Sequence, residues 1–215
     1  MALTASAKSS TPTTPPPAGN HVARCVRVID LGLQKETRGQ YIGRINHKLM
    51  LTWELPTETH VFEEKRGPEP FHVSSELTVS LGEKANLRKM LESWRGRPFT
   101  PEELEAFNVG KLLGAPCLLN VVHKKAGNGN TYGNVAGVTP LPKGFPCPAA
   151  ISPLVCYEVE MMRNDVFKAL PEWIQTKIAA CEDWKPKAAE NEQTANAVDD
   201  YADANADAAS ESVPF

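Results

Sequence analysis

The most informative residues in this sequence are two groups of basic and aromatic side chains, one within residues 35–48 and one within residues 124–132. Their types indicate ligand binding rather than catalysis. Lysine and arginine side chains attract phosphate, and an aromatic ring offers a face on which a nucleic-acid base stacks. The candidate residues are Lys35, Arg38, Tyr41, Arg44, Lys48, Lys124, Lys125 and Tyr132. Any one of them also fits an ordinary solvated charge or a structural ring. As groups, they predict binding of single-stranded nucleic acid without sequence preference, because stacking tolerates every base.

Motifs for catalysis or for a metal do not occur in the sequence. It lacks a glycine-rich phosphate loop, a nucleophile elbow, a His-Glu metal helix and a paired-acid motif. The segment 127–129 is too short for a phosphate loop and fits a hairpin turn. His60, His72 and His123 lack the spacing of metal ligands. We therefore predict no catalytic residue, no metal and no cofactor.

The number and spacing of the cysteines indicate whether the protein contains disulfides. There are five, Cys25, Cys117, Cys147, Cys156 and Cys181. Their number is odd, they are widely spaced, and no two form a CxxC pair. This predicts reduced thiols in a cytoplasmic protein rather than a disulfide framework or a zinc ribbon. No apolar run approaches 18 residues and no signal-peptide pattern is present, so neither membrane insertion nor secretion is predicted.

Charge is distributed unevenly along the chain. The net charge is −3, but residues 190–215 carry seven acidic residues and no lysine or arginine. Residues 1–189 therefore hold 23 basic against 19 acidic residues. A mildly basic body with a separate acidic tail is compatible with binding nucleic acid, whereas a uniformly acidic protein is not.

A hairpin positions the second group of candidate residues. Residues 117–123 and 131–138 are β-prone and flank a loop of lysine, glycine and asparagine. Glycine and asparagine tolerate the positive φ angles of a tight turn, and lysine keeps the turn solvated. The pattern predicts an antiparallel hairpin with Lys124 and Lys125 at its tip and Tyr132 just inside the second strand.

Three strand-like runs precede the hairpin, at residues 21–33, 41–55 and 71–81. Alternation of apolar residues changes phase within the first run, which predicts a β-bulge. The second run alternates clearly and predicts a half-buried strand. Its apolar face contains Trp53, which we expect in the core. Its wet face, expected to line a nucleic-acid groove, is formed by Arg44, Asn46, Lys48, Met50 and Thr52.

Helices are predicted from capping signals. Ser80 and Glu83 have the spacing of a capping box and predict a helix over 83–94. Thr100 and Glu103 form a second box, with Pro101 at the first helical position, and predict a short helix to Phe107. Near the C-terminus, apolar residues over 164–182 have helical spacing. Pro171 lies within them and should divide this segment into two short helices.

The order of three strands, a helix and a hairpin predicts a mainly β fold, specifically a five-stranded OB-fold barrel with a helix between strands 3 and 4. The predicted organisation is a disordered leader (1–20), the OB-fold nucleic-acid-binding domain (21–142), a proline-rich connector with C-terminal helices packing on the barrel (143–184), and a disordered acidic tail (185–215). Trp94 is expected to pack on the barrel. Phe62 lies in a polar loop and fits either a stacking residue or an anchor.

The chain ends in Glu211-Ser212-Val213-Pro214-Phe215, behind the acidic segment. This ending resembles the C-terminal tip of bacterial single-stranded DNA-binding proteins. In that family an acidic tail ends in a small apolar residue, proline and phenylalanine. The resemblance implies that Val213, Pro214 and Phe215 dock into a hydrophobic pocket of a replication or repair protein. Glu211 and the upstream acids would steer the tail toward basic surfaces. The acids here are spread out, whereas the family tip carries consecutive aspartates.

A second resemblance is carried by segments 80–84, 94–100, 113–117, 140–144 and 170–173 and by Ile178. With these segments, the body resembles a family of bacteriophage OB-fold single-stranded DNA-binding proteins over residues 21–182. It implies a protein that coats and protects single-stranded DNA in phage replication or recombination, in the host bacterial cytoplasm. An OB-fold adaptor that binds a protein and an RNA-binding chaperone are the alternatives. The sequence leaves DNA or RNA preference and oligomeric state open.

Overall fold

The computed structural model describes residues 14–37, 39–127, 129–159 and 164–183. The strands are β1 (Gly19–Lys35), β2 (Ile45–Val61), β3 (Pro68–Thr78), β4 (Pro116–Lys125), β5 (Thr131–Thr139) and β6 (Val155–Tyr157). The α-helices are α1 (Asn86–Arg95), α2 (Pro101–Glu105), α3 (Asn164–Ala169) and α4 (Glu172–Ala179). Within the described ranges, no helix has the length and apolar character needed to cross a membrane.

The six strands form one sheet, so the predicted mainly β class is confirmed. Five strands pair antiparallel in the order β3-β2-β1-β4-β5, and β6 adds to β1 in parallel. No hydrogen-bonded ladder joins β3 to β5 among the residues described, so the predicted closed barrel is not confirmed. Helix α1 lies against both β3 and β5. The sheet is therefore open in its hydrogen bonding between these two strands.

Strand β1 pairs with β4 along its N-terminal part and with β2 along the rest. Residues Gly19 to Arg24 pair with β4, and Arg24 to Lys35 pair with β2. The register against β2 shifts between Cys25 and Arg27 and again between Asp30 and Gly32, which confirms the predicted bulge. A bulge bends a strand and increases its twist. The two register shifts thus allow one long strand to pair with both β2 and β4.

The main core lies on one face of the sheet and contains two tryptophans. Trp53 of β2 and Trp94 of α1 are fully buried, with ring centroids 5.8 Å apart. The indole N–H of Trp94 donates to the Pro116 carbonyl oxygen at 2.9 Å. Both rings therefore pack helix α1 onto the sheet, and the prediction of Trp53 as a core residue is confirmed.

The C-terminal segment covers part of the opposite face. Ile29 and Met50 from the sheet pack with Tyr157, Ile174 and Ile178 in a second core. The predicted wet face of β2 is wrong at Met50, which belongs to this second core, and also at Thr52, whose hydroxyl lies 2.9 Å from that of Ser74; the two residues are 1% and 0% exposed. Alternation in a sequence shows which residues share a face, but it does not show which later segment returns to cover that face.

The predicted helices are present, but one predicted cap was wrong. Helix α1 begins at Asn86 rather than at residue 83 and has Ala85 at its N-cap, and the Ser80 hydroxyl accepts the N–H of Gly82 instead of capping this helix. The Thr100 capping box is present, although α2 ends at Glu105 rather than Phe107. Pro171 separates α3 from α4 as predicted. Strand β3 occupies 68–78 rather than 71–81.

Candidate nucleic-acid interface

The β4–β5 hairpin presents its predicted basic and aromatic residues at one end of the sheet. Lys124 pairs directly with Tyr132, and Lys125 with Thr131. Gly129 takes a φ of 83°, a left-handed conformation that only glycine adopts readily, and its N–H donates to the Ala126 carbonyl oxygen at 2.9 Å. This turn chemistry brings Lys124, Lys125 and Tyr132 together, as the sequence suggested.

The hairpin tip is positively charged and accessible. Lys124 and Lys125 are exposed, and neither ammonium group has an ion-pair or hydrogen-bond partner in the part of the chain that the structure describes. Tyr132 is 44% exposed. Two unneutralised cations beside an accessible ring can contact phosphate and stack a base at neighbouring positions.

Tyr132 also borders an open cleft of about 400 Å³ between β3 and β5. We call it the aromatic cleft; Phe62, Phe71, Tyr132 and Pro16 are among the residues that line it. Phe62 meets Phe71 edge to face, with ring centroids 5.3 Å apart, and His60 lies 5.0 Å from Phe62. Phe62 nevertheless stays 41% exposed. The cleft therefore presents aromatic surface to solvent at the gap where the two strands do not pair.

A segment before β1 forms one wall of this cleft. Pro16 is buried, and its carbonyl oxygen lies 2.8 Å from the His123 Nε2. Gly133 has no side chain at the point where the Pro16 ring lies. Residues 14–20, which composition assigns to a flexible leader, thus lie against the sheet, and β1 already begins at Gly19. Composition gave no signal for this contact because proline-rich segments usually bury little surface.

The one acidic residue among those lining the cleft is already paired. Glu69 lines the cleft, and its carboxylate accepts the Arg66 Nε–H at 2.7 Å. A neutralised carboxylate repels a phosphate backbone less than a free one. Glu69 therefore opposes an anionic ligand near the cleft only weakly.

The other predicted group lies around the β1–β2 connection. Tyr41 is 50% exposed, and the Arg44 guanidinium lies over its ring at 4.9 Å. Lys48 forms an ion pair with Glu36 and donates to the Thr78 hydroxyl at 3.1 Å. The hydrogen bond from Lys48 is the main reason that the pKa of Glu36 is lowered. Tyr41 and Arg44 are therefore accessible, whereas the charge of Lys48 is already compensated.

The structure does not bring the two predicted groups together. The β1–β2 connection follows Lys35 at the C-terminal end of β1, where Lys35 is exposed. The β4–β5 turn lies beyond Gly19 at the N-terminal end, because Gly19 pairs with Val121. A ligand that contacts both groups must therefore extend along the length of the sheet. Arg38 lies outside the described residues, and so do the docking residues Glu211, Val213, Pro214 and Phe215.

A buried polar cluster fixes the proline-rich connector across the sheet. The Glu54 carboxylate is fully buried and accepts the N–H groups of Ile151 and Ser152, each at 2.7 Å. The Ser152 hydroxyl lies 2.9 Å from the His72 Nε2, which is also the nitrogen closest to Glu54, at 3.7 Å. In a nucleophilic triad the serine and the acid contact different nitrogens of the histidine. This geometry suits a structural contact.

Cysteines and potential metal ligands add no further site. All five cysteines are free thiols, and burial raises the pKa of Cys156 to about 11. A raised pKa keeps a thiol protonated and unreactive at neutral pH. No group of three or more His, Cys, Asp or Glu residues in the described ranges is arranged to hold a metal ion.

The sequence left the role of Phe62 open and missed the contribution of Pro16. Phe62 and Tyr132 are 70 positions apart in the chain, and no local pattern joins them. The one available signal was the isolation of Phe62 as a large apolar residue in a polar loop. No family model matches this chain, and no curated protein and no solved structure matches it. Function must therefore be inferred from the residues themselves.

Proposed function

We propose that this protein binds single-stranded DNA without sequence preference and coats it during replication or recombination. One observation carries the proposal: Lys124 and Lys125 are exposed at the hairpin tip without an ion-pair partner among the described residues, and Lys124 lies directly opposite Tyr132, whose exposed side chain belongs to a residue that borders the aromatic cleft. Exposed cations next to accessible rings are the combination that proteins use to bind single strands. The resemblance of residues 21–182 to phage single-stranded DNA-binding proteins supports the same function, and with it a role in an infected bacterial cell.

The proposed fold is the OB arrangement. Its support is the strand order β3-β2-β1-β4-β5, with α1 following β3 and lying against both edge strands. In OB folds the loops joining strands 1 to 2 and 4 to 5 border the ligand. The two groups of candidate residues lie at or beside these two connections, so a bound strand that contacts both extends along the length of the sheet.

Binding divides into an electrostatic and a stacking contribution. Lys124, Lys125, Lys35 and Arg44 contact phosphates and release condensed counterions, which makes affinity fall with salt concentration. Tyr132 and Tyr41 stack bases, which adds affinity without reading sequence.

The acidic tail recruits partners. In this proposal Phe215, with Val213 and Pro214, docks into a hydrophobic pocket of a replication or repair protein. The seven acidic residues in 190–215 also compete with DNA for the basic residues of the body. Removing residues 190–215 should therefore tighten DNA binding at low salt, and unchanged affinity would rule out this competition.

The decisive experiment is a fluorescence-anisotropy titration of labelled oligo-dT at several salt concentrations. Binding that weakens steeply with salt supports the proposal, because counterion release requires phosphate contacts. A parallel titration with oligo-U compares the affinity for RNA with that for DNA. A clear preference for RNA would support an RNA chaperone instead. No binding to either strand at low salt would overturn the proposal and leave the adaptor function.

A further inference from the structure

Two arginines of β1 lie on the face of the sheet that carries the second core, and they differ in their contacts. The Arg24 guanidinium donates to the carbonyl oxygens of Gly114, Cys147 and Pro148 and thus helps to hold the connector. Arg27 is half-buried, and its guanidinium has no hydrogen-bond or ion-pair partner among the residues that the structure describes. Polar groups withdrawn from water are normally hydrogen-bonded. Arg27 therefore retains donors for a ligand.

Arg27 belongs to a polar row that crosses three strands. It pairs with Thr52 of β2, and Thr52 pairs with Ser74 of β3. Directly paired residues share a face of the sheet, with Cβ atoms about 5 Å apart. The hydroxyl oxygens of Thr52 and Ser74 are 2.9 Å apart. Thr52 is fully buried whereas Ser74 is exposed, so the row is open to solvent at β3.

The neighbouring positions on this face are covered on both sides of the polar row. On one side, the Glu54 carboxylate binds the connector through the N–H groups of Ile151 and Ser152. On the other side, Ile29 and Met50 belong to the second core. The polar row therefore lies between the connector and the C-terminal segment, where a small ligand has neighbours on two sides.

The charges around Arg27 leave its guanidinium available to an anion. Burial lowers the pKa of Arg27, and the nearby Glu54 carboxylate offsets this only in part. That carboxylate already accepts two backbone N–H groups and forms no ion pair with Arg27. The charge of Arg27 also contributes to the lowered pKa of His72 on β3. Because a guanidinium presents a planar pair of N–H donors that matches the oxygens of a phosphate, an oxyanion suits this position.

We propose that Arg27 and the Ser74 hydroxyl form a phosphate-binding site on this face of the sheet. The guanidinium donates two N–H groups to phosphate oxygens, and Ser74 donates its hydroxyl hydrogen while accepting that of Thr52. The site goes beyond the proposed function, because it involves none of the candidate residues at the two ends of the sheet. A free phosphate ion and a phosphodiester of a bound strand present the same oxyanion, and the experiment distinguishes these two sources.

The test is urea unfolding of the full chain in increasing inorganic phosphate, with chloride used to keep the ionic strength constant. A ligand that binds only the folded state raises the folding equilibrium constant about tenfold for each tenfold increase in its concentration above Kd. The unmodified protein should show this rise. Arg27→Gln should keep only the smaller stabilisation that phosphate gives to proteins in general, through its exclusion from their surface.

Three further variants separate binding from a structural role of Arg27. Arg97→Gln removes the same charge from an exposed arginine that pairs with Glu103, and it should respond to phosphate as the unmodified protein does. Arg27→Lys keeps the charge but loses the planar pair of donors, so it should retain part of the response. Glu54→Gln removes a negative charge that acts on Arg27, so phosphate should bind this variant more tightly.

Dimethyl phosphate and oligo-dT identify the source of the phosphate. If a bound strand supplies it, dimethyl phosphate should stabilise the unmodified protein but not Arg27→Gln, and Arg27→Gln should weaken oligo-dT binding. If free phosphate is the ligand, Arg27→Gln should lose the phosphate response and keep its affinity for oligo-dT. Both results support the site.

Equal responses of the unmodified protein and Arg27→Gln to inorganic phosphate and to dimethyl phosphate would overturn the site. Arg27 would then serve only to balance the charge of Glu54. Absence of oligo-dT binding, with the phosphate response of the unmodified protein intact, would overturn the proposed function and leave the phosphate site standing.

Discussion

The ring of Pro16 lies directly over the backbone of Gly133, so that a Cβ at Gly133 would overlap the ring and lie only 3.0 Å from its Cδ. This contact joins the segment before β1 to strand β5, beside the gap where β3 and β5 share no hydrogen bonds. The composition of this segment predicts a flexible leader, but the contact fixes the segment at the wall of the aromatic cleft.

Replacing Gly133 with alanine should therefore displace Pro16. We expect Gly133→Ala to destabilise the protein by about 1–3 kcal/mol, the usual cost of overpacking, as measured by urea unfolding. Cleavage before Gly19 in limited proteolysis should also become faster. Gly137→Ala is the matched control, because it lies on the same strand and its Cβ would meet nothing within 4 Å. Equal stability of the two variants would contradict the contact.

The buried carboxylate of Glu54 should stabilise the fold chiefly by accepting two backbone N–H groups. Glu54→Gln keeps the size of the side chain but turns an N–H donor toward the N–H of Ile151 or Ser152. One buried donor is then left without an acceptor, which costs about 1–3 kcal/mol. Urea unfolding should show this loss. Glu58→Gln on the same strand, where the side chain is 36% exposed, should change stability by less than about 0.5 kcal/mol.

His72 should make stability depend on pH. Burial lowers the pKa of His72, and the nearby Arg27 lowers it further, which outweighs the opposite effect of Glu54. The unfolded chain, with a histidine pKa near 6.5, therefore takes up the proton before the folded protein does. The contribution of neutral His72 to the free energy of unfolding is complete above pH ~6.5, and it is lost as the pH falls below that value.

The measurement is the free energy of unfolding between about pH 7.5 and 5, for the unmodified protein and for His72→Gln. The unmodified protein should lose stability more steeply as the pH falls. Parallel curves for the two proteins would show that His72 does not titrate differently in the folded and unfolded states.

Local patterns in the sequence predicted local structure well. Alternation and turn residues were sufficient to predict the β4–β5 hairpin, and Pro171 was sufficient to predict the break between α3 and α4. The predicted wet face of β2 was wrong at Met50 because that residue is covered by residues from Tyr157 to Ile178, far later in the chain. The pairing of Phe62 with Tyr132 in one cleft likewise depends on how distant strands meet, which no short pattern records.

The two capping boxes show the same limit and give a direct test. Thr100 accepts the N–H of Glu103 and caps α2, whereas Ser80 bonds Gly82 outside any helix. Thr100→Ala should cost about 1 kcal/mol, the typical loss for an N-cap, as measured by urea unfolding. Ser80→Ala should cost only a few tenths of a kcal/mol. Comparable losses at both sites would mean that Ser80 contributes an interaction beyond its bond to Gly82.

Salt dependence should separate the cations that contact DNA from those that stabilise the fold. For single strands the slope of log affinity against log salt changes by about 0.7 per phosphate contact. Replacing both Lys124 and Lys125 with glutamine should therefore flatten the slope by about 1.4. Lys48→Gln should flatten it less, because Glu36 already neutralises that ammonium group. Lys111→Gln, an exposed lysine outside both groups, should leave it unchanged. A larger effect of Lys48→Gln would mean that a DNA phosphate displaces Glu36 from the Lys48 ammonium group. The main phosphate contacts would then lie at the β1–β2 connection and not at the hairpin tip.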